Sequence, residues 1–315
     1  MKICFAGAGA LGCSLGGTLR AGGLDVWLVD RNAAHVEAIR RDGLRMRTED
    51  GERTVAVNAS TQFADAGVAD VVVVLVKSAA TGEAIAQAKP AIGPDTVVMS
   101  LQNGLGHEEI LVEAVGRERV IAGKTYAGGV FLGPGHVIAG TRNKETIIGE
   151  LDGSLTRRVR AIAAAFSGAG LATEVSDNIM GTMWDKLLIN VATGAVSGIT
   201  GLTYGDLYGV PEIEQTAVAA VREAMDVAQA SGVRLSYTDP RAAWLKAGAG
   251  LPADFKTSML QSLEKGSITE VDFINGAVVR WGARHGVPTP VNRTLVACIK
   301  GIERRIAAAA NNGST

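Results

Sequence analysis

No charge of either sign dominates this 315-residue chain: 31 lysines and arginines stand against 32 aspartates and glutamates, a formal net charge of −1. Without an excess of positive charge, a broad electrostatic grip on nucleic acid or on an anionic membrane is not expected. Cysteine is scarce, with Cys4, Cys13 and Cys298 scattered and odd in number, which argues against both a disulfide framework and a zinc cluster. The four histidines (His35, His107, His136 and His285) lack metal-ligand spacing, so no metal is expected. No run of apolar residues approaches the roughly 18 that a spanning helix needs. Met1-Lys2 leads straight into an apolar stretch with no leader pattern, so the expectation is a cytoplasmic, reducing location. No internal repeat is evident.

What is abundant is glycine, 40 residues, much of it placed between short apolar runs as turns in an α/β protein require. The length suits two cores better than one. Strand and helix signals alternate at first. Strands are expected at Ile3–Ala6, Val26–Val29, Val71–Val76, Thr96–Ser100 and Val120–Ala122, with helices at Gly12–Ala21 and Ala33–Arg41. This rhythm indicates an open, mostly parallel sheet. Beyond Tyr126, Gly128-Gly129, Gly133-Pro134-Gly135 and the runs His136–Ala139 and Thr146–Gly149 suggest antiparallel hairpins extending that sheet. A helix at Leu155–Phe166 and a strand at Ala172–Val175 follow. From Asp177 the pattern is helical almost to the end, so the expected division is an α/β domain over 1–176 and an all-helical domain over 177–315. The tail from Ala307 is expected to fray.

The first chemical signal is Gly7-Ala8-Gly9-Ala10-Leu11-Gly12, which closes an N-terminal strand and opens a helix. In that context the first glycine permits a tight turn and the second admits a pyrophosphate. The third lets helix and strand pack closely, and the helix N-terminus offers N–H donors to the anion. A tight βα turn with no ligand is the plain alternative. Against it stands Asp30, which ends the second strand about 20 residues on, where an adenosine ribose lies. Asp30 would accept from ribose hydroxyls and favour NAD, whereas Arg31 beside it would fork onto a 2′-phosphate and favour NADP.

Lys77 and Asn103-Gly104 fall after later strands, at the sheet edge where such folds bind ligands. Each could equally be a surface or turn residue. In the helical part, Lys186 and Asn190 are four apart and share a helix face that continues to Gly194. A lysine on a largely apolar helix needs a partner or a task, unless it snorkels at the edge. Thr269 is a candidate N-cap for a helix carrying Glu270 in its first turn, with Gly276 allowing close helix approach further on. The histidines read as surface or structural residues, and the apolar stripe of Val218–Ala228 as core or subunit contact.

Taken together, the glycine turn, Lys77, Asn103-Gly104, Lys186-x3-Asn190, Ser258-Met259-Leu260-Gln261 and Thr269-Glu270-x-Asp272-Phe273-Ile274-Asn275-Gly276 resemble the ketopantoate reductase family, in order and over nearly the whole chain. The resemblance implies an N-terminal Rossmann domain, a helical C-terminal domain, and reduction of 2-dehydropantoate to D-pantoate with NADPH on the route to pantothenate and coenzyme A. It implies Lys186 as catalytic acid, with Asn190, Ser258, Asn103 and Glu270 binding substrate. Gly7, Ala8, Gly9, Ala10, Leu11, Gly12, Arg31, Lys77, Asn103 and Glu270 would bind cofactor. The small-molecule partner is then a 2-oxo acid, and a homodimer is compatible.

One departure bears on substrate. A second asparagine often lies four residues beyond Asn190 in that family, and here that position is Gly194. The Asp30 strand end with His35-Val36-Glu37-Ala38-Ile39 after it, and Gly104-Leu105-Gly106-His107-Glu108 later, are also similar to relatives acting on other D-2-hydroxy acids, some with NAD. A dehydrogenase for another bulky 2-oxo acid is therefore the second expectation. A non-catalytic dinucleotide sensor is the third, and it would not need Lys186, Asn190, Ser258 and Glu270 together.

Overall fold

The computed structural model describes residues 1–312, with side chains described through residue 309. The chain forms two compact units: Met1–Gln102 with His107–Ile179, and Asn103–Gly106 with Met180–Thr315.

The first unit is built on an eight-stranded sheet. Its strands are β1 (Lys2–Ala6), β2 (Asp25–Val29), β5 (Asn58–Ser60), β6 (Val71–Val74), β7 (Val97–Ser100), β8 (Val120–Thr125), β11 (Thr146–Glu150) and β12 (Thr173–Val175). The order is β12-β11-β8-β7-β6-β1-β2-β5. Strands β5 through β8 in that order are mutually parallel, and β11, itself parallel to β12, runs antiparallel to β8. Successive residues of the central strands feed opposite faces. Ile3, Phe5, Val71 and Val73 join one apolar core with Leu15, Leu19 and Phe166, while Cys4, Ala6, Val72 and Val74 join another with Ile85 and Leu111. Burial on both faces explains why these strands read as unbroken apolar runs. The helices of this unit are α1 (Ala10–Ala21), α2 (Ala33–Asp42), α3 (Phe63–Ala66), α4 (Thr81–Gln87), α5 (His107–Val115) and α6 (Arg157–Gly168).

The expectation of hairpins extending this sheet is corrected. Only β11 and β12 do so. The hairpin of β9 (Gly128–Gly133) and β10 (His136–Gly140) instead forms a separate four-stranded sheet, order β4-β3-β10-β9, with β3 (Leu44–Thr48) and β4 (Gly51–Val55). Strand β10 pairs in parallel with β3, His136 opposite Arg45 and Ile138 opposite Arg47. The cause is burial: β3 turns Leu44 and Met46 inward and its arginines outward, offering β10 a half-buried partner far away in sequence.

The second unit is helical: α7 (Ile179–Thr200), α8 (Tyr204–Leu207), α9 (Pro211–Ala230), α10 (Pro240–Gly248), α11 (Ser258–Glu264), α12 (Asn275–His285) and α13 (Pro290–Asn312). Helix α9 buries Ala217, Ala220, Val221, Ala224, Val227 and Ala228 at helical spacing, and α10, α12 and α13 all pack on it. Its Glu223 also receives the first N–H groups of α13, from Val291 at 2.8 Å and Asn292 at 3.0 Å, satisfying donors that have no partner within the helix. Helix α13 continues through Asn312, past the Ala307 point where fraying was expected, and residues 313–315 lie outside the described residues.

Candidate active site

In the first unit the glycine turn has the shape that close packing dictates. Gly7 adopts φ +110°, and a Cβ there would lie 2.7 Å from the Leu75 carbonyl oxygen. A Cβ on Gly12 would come within 2.1 Å of the Gly7 oxygen, so helix α1 can leave the strand this tightly only with glycine at that position. Gly9 is different: nothing lies within 4 Å of its Cβ position. It is the N-cap of α1 and brings no capping side chain, so no N-cap side chain competes for the first-turn N–H groups, the donors an anion would use. Open space at the middle glycine and tight packing at the outer two are what a bound pyrophosphate requires, and the turn fits one.

Asp30 stands at the end of β2, its Oδ2 accepting from Ala8 N–H at 2.8 Å and its Oδ1 from Asn32 N–H at 2.9 Å. Arg31 is exposed beside it, and Lys77 is exposed just beyond β6. Gln102, not singled out from the sequence, joins the ends of two strands: its Oε1 accepts from Ser100 Oγ at 2.9 Å and its Nε2 donates to the Val76 carbonyl at 2.7 Å. A polar residue directly before Asn103-Gly104 was its only sequence signal.

His35 was expected on a helix surface and is instead 1% exposed. Gly135 N–H donates to its Nδ1 at 2.9 Å, and its Nε2 lies 2.9 Å from the Ala8 carbonyl oxygen. Burial holds its pKa below the ordinary histidine value, against the opposing effects of the Ala8 carbonyl and Asp30.

In the second unit, Lys186 and Asn190 lie one turn apart on α7, both half-buried. Further along lies buried Gly194, whose Cβ position meets only the Met259 Cε, at 3.5 Å. Helix α11 is tied to the same stretch of α7. Its N-cap Thr257 accepts from Leu260 N–H and donates to Ser197 Oγ at 3.2 Å, and Met259 also packs against Gly198. Ser258, the exposed first residue of α11, is thereby placed near that stretch.

Glu270 is not in the first turn of a helix, which corrects the sequence expectation. It precedes a short 3-10 turn over Val271–Phe273, and α12 begins only at Asn275. Thr269 serves this turn, its Oγ1 accepting from Val271 N–H while its N–H and hydroxyl both donate to Glu303 at 2.7 Å. The Asn103–Gly106 segment packs on the same turn. Leu105 N–H donates to the Phe273 carbonyl at 2.8 Å, and Gly104, at φ +97°, would set a Cβ 2.3 Å from that oxygen. Asn103 and Glu270 are thus carried by touching segments. Among the described residues no cluster of metal-ligating side chains occurs, and no helix is long and apolar enough to cross a membrane.

A parallel sheet with a pyrophosphate-shaped glycine turn, coupled in one chain to a helical unit with lysine and asparagine on one face, defines a Rossmann-type protein with a helical second part. The chain belongs to the ketopantoate reductase family. Residues 3–153 match the model described as "Ketopantoate reductase PanE/ApbA", and residues 178–303 match its C-terminal counterpart. A curated 2-dehydropantoate 2-reductase of Halobacterium salinarum is 35% identical over 305 residues, 96% of this chain and 99% of that protein. A PanE/ApbA family ketopantoate reductase of Ralstonia eutropha JMP134 superposes with a TM-score of 0.88 at 36% identity, covering 98% and 100% of the two chains. D-mandelate dehydrogenase, solved with NADH and anilino(oxo)acetate, superposes with a TM-score of 0.86 at 26% identity, again covering 98% and 100%.

Proposed function

We propose that the chain reduces 2-dehydropantoate to D-pantoate with NADPH, in pantothenate and coenzyme A biosynthesis in the cytoplasm. The observation that carries this reading is the α7 face, where Lys186 and Asn190 stand one turn apart and the helix bearing Ser258 is anchored alongside. The relatives' shared name agrees with it. On this reading residues 1–176 bind the dinucleotide and 177–315 supply the chemistry, and a homodimer is the proposed assembly.

When bound, the reduced nicotinamide supplies hydride to the ketone carbon. Gly7, Ala8, Gly9, Ala10, Leu11 and Gly12 would hold its pyrophosphate, Arg31 its 2′-phosphate, and Lys77, Asn103 and Glu270 would complete the cofactor contacts. Lys186 then stabilises the charge growing on the substrate's carbonyl oxygen and gives it a proton. Asn190 donates a neutral hydrogen bond to the same region. Ser258 donates to the substrate carboxylate, Asn103 borders the reacting centre, and Glu270 steadies the Lys186 ammonium.

The direct test is Lys186→Ala. Loss of a positioned acid lowers turnover by about 10² to 10⁴-fold, with dinucleotide affinity and melting temperature retained. Near-normal turnover in a folded variant would falsify the assignment.

A second reading has its own observation. The fixed Asp30 carboxylate suits the ribose diol of NADH, and the open side of buried Gly194 suits a bulkier substrate. On that reading the chain is a D-2-hydroxyacid dehydrogenase for another 2-oxo acid. Comparing NADPH and NADH oxidation with 2-dehydropantoate and then with a series of bulky 2-oxo acids separates the two. Tight binding with no turnover on any of them would leave a dinucleotide sensor.

A further inference from the structure

We propose that His35 is a positioning residue for the dinucleotide, holding the glycine turn in its binding geometry through Ala8. The inference rests on the cofactor assignment above and concerns a residue outside the glycine motif.

A backbone N–H can only donate, so the Gly135 bond to Nδ1 leaves the ring proton on Nε2. His35 therefore donates from Nε2 to the Ala8 carbonyl oxygen, 2.9 Å away, and the Cys13 thiol donates to the same oxygen at 3.0 Å. No cis peptide occurs among the described residues, and in a trans peptide the C=O and the following N–H point in opposite directions. Fixing the Ala8 carbonyl toward His35 thus turns the Gly9 N–H away from it.

The peptide on the other side of Ala8 is fixed as well, its N–H donating to Asp30 Oδ2. Asp30 Oδ1 accepts from Asn32 N–H, and Asn32 Oδ1 accepts from His35 N–H at 3.2 Å. Ala8, Asp30, Asn32 and His35 therefore form a closed ring of hydrogen bonds, and Arg31 lies on the segment it encloses. The ring joins the pyrophosphate turn to the residues at the end of β2. Gly135 and the ring of Phe131, 5.1 Å from the imidazole centroid, brace it from the β9–β10 hairpin. Two backbone groups of one turn residue are thus pinned by side chains of the neighbouring β2–α2 unit, Asp30 from its loop and His35 from its helix. The arrangement fixes donors before any ligand arrives, which lowers the ordering cost of binding.

The test compares His35→Gln, His35→Asn and His35→Phe with the parent, reading Kd for NADPH and NADH by quenching of intrinsic fluorescence. A glutamine amide reaches the level of Nε2 and can still donate to Ala8, whereas an asparagine amide reaches only Nδ1, and phenylalanine keeps the ring without either nitrogen. One lost hydrogen bond in the turn raises Kd by roughly tenfold, for both dinucleotides alike, in His35→Asn and His35→Phe, while His35→Gln retains most of the affinity. In steady state the KM for dinucleotide rises while kcat and the KM for the 2-oxo acid hold. Equal losses in the glutamine and asparagine variants, or a Kd within about twofold of the parent in both asparagine and phenylalanine variants, would overturn the positioning role. If His35→Phe does not fold, the glutamine and asparagine pair decides alone. A parent chain that binds neither dinucleotide overturns both this role and the functional reading beneath it.

Discussion

Two glycines separate what a residue does for the fold from what it does for a ligand. Gly9 has ordinary backbone angles, φ −66°, and open space at its Cβ position, so Gly9→Ala should leave the melting temperature unchanged. On the proposed reading the added methyl stands in the path of the pyrophosphate, and dinucleotide Kd should rise at least about tenfold, measurable by titration. Gly104 is the reverse case. At φ +97° and with the Phe273 oxygen 2.3 Å from any Cβ, Gly104→Ala should cost about 1–3 kcal/mol in urea unfolding, and it should disturb Asn103 as well. The tight packing at Gly7 and Gly12 is legible in the sequence because strand, spacing and helix all lie within a dozen residues. His35 is not legible there. It sits on a polar helix, and its Nδ1 partner is Gly135, 100 residues later.

At the scale of elements, the central parallel strands announce themselves through unbroken apolar runs, and α7 and α9 through helical spacing; the edge strand β5, Asn58-Ala59-Ser60, carries no such run. Strands β3 and β4 do not announce themselves either. Leu44-Arg45-Met46-Arg47-Thr48 carries two apolar residues among arginines, and Gly51–Val55 buries only its last residue. The pairing of β3 with a distant hairpin, and of β4 with β3, supplies stability that local pattern does not show. The non-helical setting of Glu270 escaped for a related reason: Thr269 beside it is held by Glu303 from distant α13.

One ion pair gives this scale a pH test. Glu150 at the end of β11 accepts from Arg158 of α6, Nε to Oε1 at 2.8 Å and Nη2 to Oε2 at 2.6 Å. Burial pushes its carboxyl up, but hydrogen bonds from Arg158 and Thr156, with the Arg158 charge, outweigh it and leave the pKa below the ordinary value. The pair's contribution is therefore present above the unfolded pKa, about 4.3, and fades as pH falls through the lower folded value. Thermal unfolding of Glu150→Gln should show a smaller loss of stability than the parent between pH 7 and about pH 3. Identical pH profiles would remove Glu150 from the acid sensitivity of the fold.

At the scale of the whole molecule, the chain passes between its two units at Gln102–Asn103, Gly106–His107 and Ile179–Met180. Only the last lies near the composition change that the sequence displays. Four residues after a strand carry no compositional mark of belonging elsewhere, so the excursion at 103–106 was invisible before the fold was known. It follows that a fragment of residues 180–315 lacks part of its own unit, including the Leu105 N–H that the Phe273 carbonyl accepts. Such a fragment should unfold at lower denaturant than the helical unit does within the full chain, as followed by circular dichroism.

The same excursion bears on how genes of this family recombine. A crossover near codon 177 looks clean on paper, since it separates the sheet from the helices. In the product, Gly104 and Leu105 come from one parent and the Phe273 turn they rest on comes from the other. Chimeras should succeed or fail according to whether those two segments were drawn from compatible lineages, and transplanting residues 103–106 along with the helical half should rescue the failures.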